Sequence, residues 1–317
     1  MPSGSPLYSA YSLPHRSEAF LADWNAVIMP PGTKSRLLAY VRALQRLQPV
    51  EPTSLGIRRA VLLFGPPGCG KTSLARGLPA AWVASTGQFK AAFIHVHTHA
   101  LFSGVRGEGQ KNVLSVFRAI GEMATSQENG RPLPLFVLID EVETLGTDRT
   151  SINLEANPLD AMYQVTAFLE SLDLCARESP NVTFVFTTNL PRGIDRAVRE
   201  RVDFEVEIPL PSEHARAAIL ADGIGSLAAA FDVSDLLATA SAKPVDPQWR
   251  KVVEATQGLS GRTLRHLLVL AATAGVDSPV LTMTHLEQAL HEKDAVEASL
   301  LASRGIYNEV FQEESSS

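Results

Sequence analysis

The chain has 317 residues, enough for one large domain or two of ordinary size, and its 45% hydrophobic and 20% charged residues are typical of a globular protein. Its formal net charge of −6, without a long run of Lys or Arg, argues against DNA or RNA as a partner, because a nucleic-acid groove needs a basic surface. No apolar run is long enough to span a bilayer, and Met1–Phe20 lacks the apolar stretch of a signal peptide. Two cysteines, Cys69 and Cys175, are too few for a disulfide framework, so we expect a cytoplasmic protein without a membrane partner.

The chain begins with a segment that has no secondary-structure pattern, followed by a helix. Residues 1–18 are rich in Ser, Pro and Tyr without periodicity, and we expect a flexible arm there. A helix is predicted over Lys34–Leu47, and the prolines at positions 49 and 52 end its pattern.

Four short apolar segments rich in Val, Ile and Phe then alternate with helical patterns. The segments predicted as strands are Ala60–Phe64, Ala91–Val96, Leu135–Asp140 and Val182–Thr188. Between them, helical spacing of apolar residues predicts helices around Val113–Ile120 and Met162–Leu172, the second with Asn157 as its N-cap and Pro158 at its first position. Because strands that are apolar along their whole length are buried on both faces, we expect an α/β fold with a parallel sheet covered on both sides.

The pattern changes near residue 211. Beyond it we find only helical spacing, as in Leu264, Leu267, Leu268 and Ala271. The sequence therefore predicts an α/β domain over residues 19–211 and a helical domain over residues 212–310. The polar tail, residues 311–317, is expected to be disordered.

A glycine-rich loop follows the first predicted strand and opens a helical segment, as the phosphate-loop pattern requires. Its glycines let backbone N–H groups turn toward phosphate oxygens, and the helix N-terminus adds positive potential. We expect Lys71 to reach the β- and γ-phosphates of ATP and the Thr72 hydroxyl to bind Mg²⁺. The residues expected to bind ATP are Gly65, Pro66, Pro67, Gly68, Cys69, Gly70, Lys71, Thr72 and Ser73.

Two acids end the strand Leu135–Asp140. Ligands bind at the carboxyl ends of parallel strands, so we expect Asp140 beside the phosphate loop, where it would hold Mg²⁺ through water. Glu141 would polarise the water that attacks ATP. Two acids that merely end a strand are common, but after a phosphate loop that alternative is disfavoured.

Three further features follow in chain order. Asn189 ends the strand Val182–Thr188, two arginines precede a last strand, and Arg262 opens a helix for which Ser260 is a plausible cap. A single Asn or Arg is usually a surface residue, but the order of these residues relative to both nucleotide motifs makes the combination specific.

This order of motifs resembles the AAA+ ATPases, and within them the pachytene-checkpoint (thyroid-receptor-interacting) ATPases, which remodel HORMA-domain proteins. The most specific stretches are Val61–Leu74, Leu101–Val113, Ile139–Asp173 and Gly258–Ala274. The resemblance implies a P-loop AAA+ large domain and a C-terminal helical small domain, the lid. It also implies a homohexameric ring with ATP between protomers and a central pore that pulls on the substrate chain.

The resemblance also assigns roles to single residues. It implies that Asn189 is sensor 1, Arg262 is sensor 2 and Arg201 is the arginine finger presented to a neighbouring subunit. Arg199 is the alternative finger.

Two departures from the eukaryotic members bear on function. Only about 20 residues precede the resemblance, which fits the prokaryotic branch, whose HORMA partners are implicated, with a nucleotidyltransferase, in nucleotide-signalling defence against phage. The first pore loop falls at Phe102–Glu108, where Val105 and Arg106 stand in place of the usual aromatic grip. The second pore loop is expected over Gly146–Ala156, which is long and polar.

Three histidines alternate along the strand that ends near the first pore loop. His95, His97 and His99 would face one side of a strand, about 7 Å apart, a spacing that rarely lets imidazoles share one metal ion. We therefore favour packing and hydrogen bonding over a metal site.

The cysteines and two further acids have plain interpretations. Cys69 lies at a helix N-terminus beside Lys71, where a thiolate is stabilised, so a redox brake on ATP binding is an alternative to a simple small side chain. We expect Cys175 to be a packing residue. Glu143 and Asp148 are interpreted as solvated acids.

Two other functions remain open. One is a different AAA+ motor, of the clamp-loader or helicase type, acting on nucleic acid, which the acidic balance disfavours. The other is a nucleotide-gated scaffold that barely hydrolyses ATP, and a full hydrolytic set of residues argues against it.

Overall fold

The computed structural model describes residues 3–14, 17–88, 90–101, 108–128, 130–145, 158–242 and 245–293. The chain divides into two compact units, Met1–Pro209 and Leu210–Ser317. Strands and helices alternate in the first unit, whereas the named elements of the second are all helices. The division lies close to residue 211, where the sequence pattern changes.

The first unit is built around a seven-stranded sheet. In chain order the strands are β1 (Ser3–Ser5), β2 (Tyr8–Pro14), β3 (Ala60–Phe64), β4 (Lys90–Val96), β5 (Leu135–Ile139), β6 (Val182–Thr188) and β7 (Phe204–Glu207). Their spatial order is β1-β2-β4-β5-β6-β3-β7. Strands β4, β5, β6, β3 and β7 are parallel, and β1 and β2 are antiparallel additions at the edge of β4. A separate ribbon pairs Gln127–Glu128 with Arg131–Pro132.

The four strands predicted from apolar runs all lie in the parallel part of the sheet. β3 and β6 have the predicted bounds, β4 begins one residue before Ala91, and β5 ends one residue before Asp140. All residues of β5 and β6 are buried, as expected for strands covered on both faces. The predicted α/β fold with a largely parallel sheet is confirmed.

The expectation of a flexible arm over residues 1–18 is wrong for residues 3–14. β2 pairs with β4 from Tyr8 opposite Val96 to Pro14 opposite Lys90. Ala10 and Leu13 of β2 are buried, Ala10 in the core on one face of the sheet and Leu13 in the core on the other. Pairing with β4 satisfies the backbone of β2, and this long-range contact outweighs a local sequence that lacks an apolar run.

Helices cover both faces of the sheet in the first unit. They are α1 (Glu18–Asn25), α2 (Thr33–Arg46), α3 (Pro52–Leu55), α4 (Lys71–Thr86), α5 (Thr98–Leu101), α6 (Glu108–Ala124), α7 (Pro158–Glu178) and α8 (Arg196–Arg199). Helices α6 and α7 pack on one face with side chains such as Leu62 of β3. Helices α1, α2 and α4 pack on the other face, where they meet Val61 and Leu63. Helix α2 matches the predicted helix within one residue at each end, and the predicted cap Asn157 lies outside the described residues.

The second unit contains α9 (Glu213–Leu227), α10 (Ser234–Ser241), α11 (Pro247–Ala255), α12 (Gly261–Ala274) and a helical stretch over residues 283–293. The side chain of Ser260 accepts a hydrogen bond from the backbone N–H of Thr263, so it caps α12 as predicted. The buried Arg216 of α9 donates to Thr256 Oγ1 and to the Val253 carbonyl oxygen, which ties α9 to α11. In the part of the chain that the structure describes, no helix is both long and apolar enough for a membrane span.

Candidate active site

The glycine-rich loop joins the end of β3 to the start of α4, and the nine predicted phosphate-binding residues occupy this loop and the first turn of α4. Gly65, Gly68 and Gly70 have φ angles of 148°, 77° and 97°, which residues with a Cβ rarely adopt. A Cβ on Gly65 would lie 2.1 Å from the carbonyl oxygen of Ile208, and one on Gly70 would lie 2.7 Å from Cγ2 of Val27. The local fold therefore requires glycine at both positions.

Lys71 is the first residue of α4 and is only 6% exposed. Its ammonium donates hydrogen bonds to the carbonyl oxygens of Gly65 (2.8 Å) and Pro66 (2.7 Å). The loop thus folds around the ammonium and supplies the compensation that a buried charge needs. A cation at the N-terminus of a long helix favours an anionic ligand at this loop.

Hydroxyl groups from three elements surround Asp140, which directly follows β5. The Thr72 hydroxyl lies 3.0 and 3.1 Å from the two carboxylate oxygens, and the Thr187 hydroxyl also donates to Oδ1. The Thr98 hydroxyl donates to the Asp140 carbonyl oxygen at 2.5 Å. A carboxylate beside a threonine hydroxyl provides hard oxygen donors, so the residues present fit Mg²⁺.

Glu141 stands at a strained turn at the end of β5. Its φ angle is 54°, uncommon for a residue with a Cβ, and its N–H donates to the Thr187 hydroxyl at 3.0 Å. The side chain is 47% exposed, and one carboxylate oxygen lies 3.6 Å from Nε2 of His99. The turn therefore directs a carboxylate to solvent at the edge where Asp140 and the phosphate loop lie, as a residue that orients water requires.

Glu143 belongs to the same turn, and its interpretation as a solvated acid is wrong. It is only 7% exposed, and its Oε1 accepts a hydrogen bond from the backbone N–H of Asn189 at 3.0 Å. The turn at Glu141 folds the following residues back against β6, which buries Val142 and Glu143 together. Asp148 lies outside the described residues.

Known proteins are similar to this chain in sequence and in fold. The AAA family model, of ATPases associated with various cellular activities, matches residues 61–210. CD-NTase-associated protein 6 of Pseudomonas aeruginosa is 34% identical over 298 residues, which cover 92% of this chain and 93% of that protein. The structure of PCH-2 from C. elegans has a TM-score of 0.73 and 28% identity, and the match covers 93% of this chain and 77% of that one.

The chain belongs to the pachytene-checkpoint family of AAA ATPases. A putative pachytene checkpoint protein 2 of Caenorhabditis elegans is 32% identical over 84% of this chain, which spans 64% of that relative's length. A chain of the E. coli MS115-1 HORMA:CdnC:Trip13 complex has the same fold, with a TM-score of 0.69 at 17% identity over 89% of this chain and 93% of that one.

The two arginines before β7 of this pachytene-checkpoint ATPase are both held by carboxylates of their own chain. Arg201 pairs with Asp173 through Nε (3.1 Å) and Nη2 (2.8 Å), and its Nη1 donates to the carbonyl oxygen of Ala197 at 2.9 Å. Arg199 pairs with Glu205 through two bonds of 2.8 Å, which raise the pKa of its guanidinium. Both pairs are bidentate, a geometry that fixes the plane of the guanidinium.

Arg201 and the phosphate loop lie at opposite ends of two neighbouring strands. β7 runs parallel to β3, with Phe204 opposite Val61, and Arg201 precedes the amino end of β7. Arg58, just before β3, also reaches Asp173, at 3.3 Å. The loop follows the carboxyl end of β3, and a five-residue strand is about 16 Å long. The structure thus brings together Lys71, Thr72, Asp140, Glu141 and Asn189, and keeps Arg201 away from them.

The remaining predicted site residues belong to other parts of the chain. Arg262 is the second residue of α12, in the second unit. Val105 and Arg106, and the second predicted pore loop at Gly146–Ala156, lie outside the described residues. Helix α6 begins at Glu108, the last residue of the first predicted pore loop.

Two of the three histidines pack beside the added strand β2. His97 Nε2 lies 3.0 Å from the Ser9 hydroxyl, and the rings of His95 and His97 are 5.3 Å apart. Burial lowers the pKa of His95, which favours its neutral form. Among the described residues, no group of three or more His, Cys, Asp or Glu side chains could hold a metal ion.

The cysteines are held as thiols by burial. Burial raises the pKa of Cys69, and this effect exceeds the opposite effect of Lys71, so the expected stabilisation of a thiolate is wrong. Burial raises the pKa of Cys175 to about 12, and this residue of α7 packs in the core, as predicted.

Proposed function

We propose that this pachytene-checkpoint ATPase binds ATP with Mg²⁺ at the carboxyl edge of its sheet and hydrolyses the nucleotide. The observation that carries the proposal is the contact of the Thr72 hydroxyl with both carboxylate oxygens of Asp140, at 3.0 and 3.1 Å. This contact joins the phosphate loop to the acidic strand end, beside the buried ammonium of Lys71. When bound, Mg²⁺ would neutralise phosphate charge there.

Each side chain of the site has one proposed task. The backbone of residues 65–73 and the ammonium of Lys71 bind the phosphates, and Thr72 and Asp140 hold the metal. Glu141 orients the attacking water and takes up its proton. Asn189, as sensor 1, hydrogen-bonds to the γ-phosphate or to that water.

A complete site is proposed to need a second copy of the chain. Arg201 lies near the amino ends of the strands, and its own phosphate loop lies at their carboxyl ends. We therefore assign Arg201 to the nucleotide of a neighbouring protomer in a homohexameric ring. Arg199 is the alternative arginine finger. Its guanidinium is paired with Glu205, a residue of the edge strand β7. Arg262, as sensor 2, is assigned to the nucleotide of its own chain.

The proposed substrate is a HORMA-domain protein, which the ring opens or unfolds by pulling it into a central pore with Val105 and Arg106. We assign the machine to an anti-phage nucleotide-signalling system in which the HORMA protein acts with a nucleotidyltransferase. Two names support this assignment: a relative is called CD-NTase-associated protein 6, and a chain of the same fold comes from a HORMA:CdnC:Trip13 complex.

Two other functions are less well supported. A clamp-loader or helicase-type motor on nucleic acid needs a basic track, and the net charge of this chain is −6. A nucleotide-gated scaffold has no need for Glu141 at a strained turn, because a carboxylate held out to solvent beside the metal-binding residues serves hydrolysis rather than binding.

The proposal is tested by Glu141→Gln, which keeps the shape of the side chain and removes its basicity. We expect ATP affinity within about twofold of the wild-type value and turnover lower by about 10² or more. The matched control is Glu122→Gln, an exposed acid at the end of α6, which should keep wild-type turnover. Native turnover by Glu141→Gln would overturn the assignment.

A further inference from the structure

Glu143 is a buried acid to which neither the motifs nor the family resemblance gives a role. It is 7% exposed, and Glu is almost never buried to this extent without a partner. One partner is the backbone N–H of Asn189, which donates to Oε1 at 3.0 Å. A charged acceptor makes such a bond about twice as strong as a neutral one.

This bond completes a connection between the ends of two neighbouring strands. The backbone N–H groups of Glu141 and Val142 donate to the hydroxyl and the carbonyl oxygen of Thr187, at 3.0 and 2.9 Å. The bond from Asn189 to Glu143 runs in the opposite direction, from the strand end back to the turn. Three hydrogen bonds thus join the turn that carries Glu141 to the segment that carries Asn189.

We propose that Glu143 is a positioning residue for ATP hydrolysis. It fixes the backbone of Asn189, so that the side-chain amide of Asn189 and the carboxylate of Glu141 keep a constant relative position. The inference rests on the proposed ATPase function. Hydrolysis needs a water held between these two groups, and a displacement of about 1 Å can lower a rate by about 100-fold. The contact is made at the backbone N–H of Asn189, so the side-chain amide of Asn189 remains available to bind water or phosphate.

Two substitutions separate this role from a merely structural one. Glu143→Gln keeps an oxygen acceptor of the same length, so turnover should stay within about threefold of wild type. Glu143→Met has similar length and no comparable acceptor, so kcat should fall by about 10- to 100-fold. The affinity for a fluorescent, non-hydrolysable ATP analogue should change by less than about twofold, because neither variant touches the phosphate loop.

A double-mutant cycle shows whether Glu143 acts through Asn189. In an Asn189→Ala background, Glu143→Met should cause no further loss of kcat, because the group it positions is gone. A structural role would lower kcat by the same factor in both backgrounds and would lower the melting temperature of both Glu143 variants alike.

The outcomes distinguish the positioning role of Glu143 from the proposed ATPase function on which it rests. Low turnover in Asn189→Ala with native turnover in Glu143→Met, or equal losses in Glu143→Gln and Glu143→Met, would overturn only the positioning role. Native turnover in Asn189→Ala would overturn the sensor role as well. Hydrogen exchange on the wild-type protein gives a test that does not depend on whether the variants fold. The backbone N–H of Asn189 should be protected from exchange. Exchange at the rate of an open loop would contradict its hydrogen bond to Glu143.

Discussion

The guanidinium of Arg201 and the carboxylate of Asp173 form a bidentate ion pair, with N–O distances of 2.8 and 3.1 Å. With the bond from Nη1 to the Ala197 carbonyl oxygen, three of the five N–H donors of Arg201 are engaged by the described part of its own chain. The Arg201 side chain is 24% exposed, and the bidentate pair fixes the plane of its guanidinium. Arg201 thus lies near the amino ends of the strands, away from its own phosphate loop at their carboxyl ends, and this is the basis of its proposed role at a second protomer.

Mixed rings test this action in trans. Arg201→Ala and Glu141→Gln should each be nearly inactive alone, because a finger contributes about 10³ or more in rate and the water-orienting acid about 10². A mixture should regain part of the activity, since an intact Arg201 on one chain can face an intact Glu141 on its neighbour. The measurement is steady-state ATP turnover as a function of mixing ratio.

The control for mixing is Arg262→Ala combined with Glu141→Gln. If Arg262 acts on the nucleotide of its own chain, no chain in that mixture carries an intact site, and no rescue is expected. Subunit exchange is followed with fluorescent labels on the two chains. Absence of rescue in the Arg201 mixture while exchange is observed would refute the role of Arg201 in trans.

Removal of the Thr72 hydroxyl should weaken the metal site selectively. Thr72→Val should raise the Mg²⁺ concentration for half-maximal turnover by about tenfold or more, because it deletes an oxygen donor beside Asp140. Binding of ATP without metal should change little. Thr86→Val, at the far end of the same helix, is the control, and an identical Mg²⁺ dependence in both variants would argue against a metal at this site.

A methyl group on Gly65 should damage the phosphate loop, whereas one on Gly121 should not. A Cβ on Gly65 would lie 2.1 Å from the backbone oxygen of Ile208, so Gly65→Ala should lower the melting temperature and abolish the additional stabilisation by ATP. Gly121 is in the interior of α6 with no atom within 4 Å of the position of a Cβ. Gly121→Ala should therefore stabilise the protein by about 0.5–1 kcal/mol. Thermal melts with and without ATP compare the two variants, and ATP stabilisation of Gly65→Ala equal to wild type would contradict the assigned loop.

Replacement of Val105 and Arg106 by Ala should uncouple hydrolysis from work on the substrate. ATP turnover should survive, because the phosphate loop and Glu141 are intact, while remodelling of a HORMA-domain protein should stop. Lys111→Ala, at an exposed position early in α6, is the control. Full remodelling by the double variant would exclude these two residues as the grip.

The parts of the fold with a local signal could be predicted from the sequence. Ala60–Phe64 and Val182–Thr188 are apolar along their whole length, and buried parallel strands have this composition. The phosphate loop and Asp140 are recognisable because the chemistry of phosphate and Mg²⁺ binding limits which residues can serve.

The parts that depend on contacts between distant residues could not be predicted. Tyr8–Pro14 forms a strand because its backbone pairs with β4. This pairing joins residues that are far apart in sequence, such as Tyr8 and Val96. The burial of Glu143 follows from the turn at Glu141, whose φ of 54° no local pattern reveals. The pairing of Arg201 with Asp173 depends on how α7 packs beside the segment before β7.

The central claim, that ATP hydrolysis by this chain changes the conformation of a HORMA-domain protein, is tested most directly by mixing the two proteins with ATP and following the closed conformer. Ion-exchange separation of closed and open forms is a suitable measurement. Wild-type protein with ATP should deplete the closed form at substoichiometric concentration, whereas Glu141→Gln, or wild type with a non-hydrolysable analogue, should bind the closed form and leave it unchanged. Depletion by Glu141→Gln equal to that by wild type, or no depletion by wild type while it hydrolyses ATP, would contradict the account.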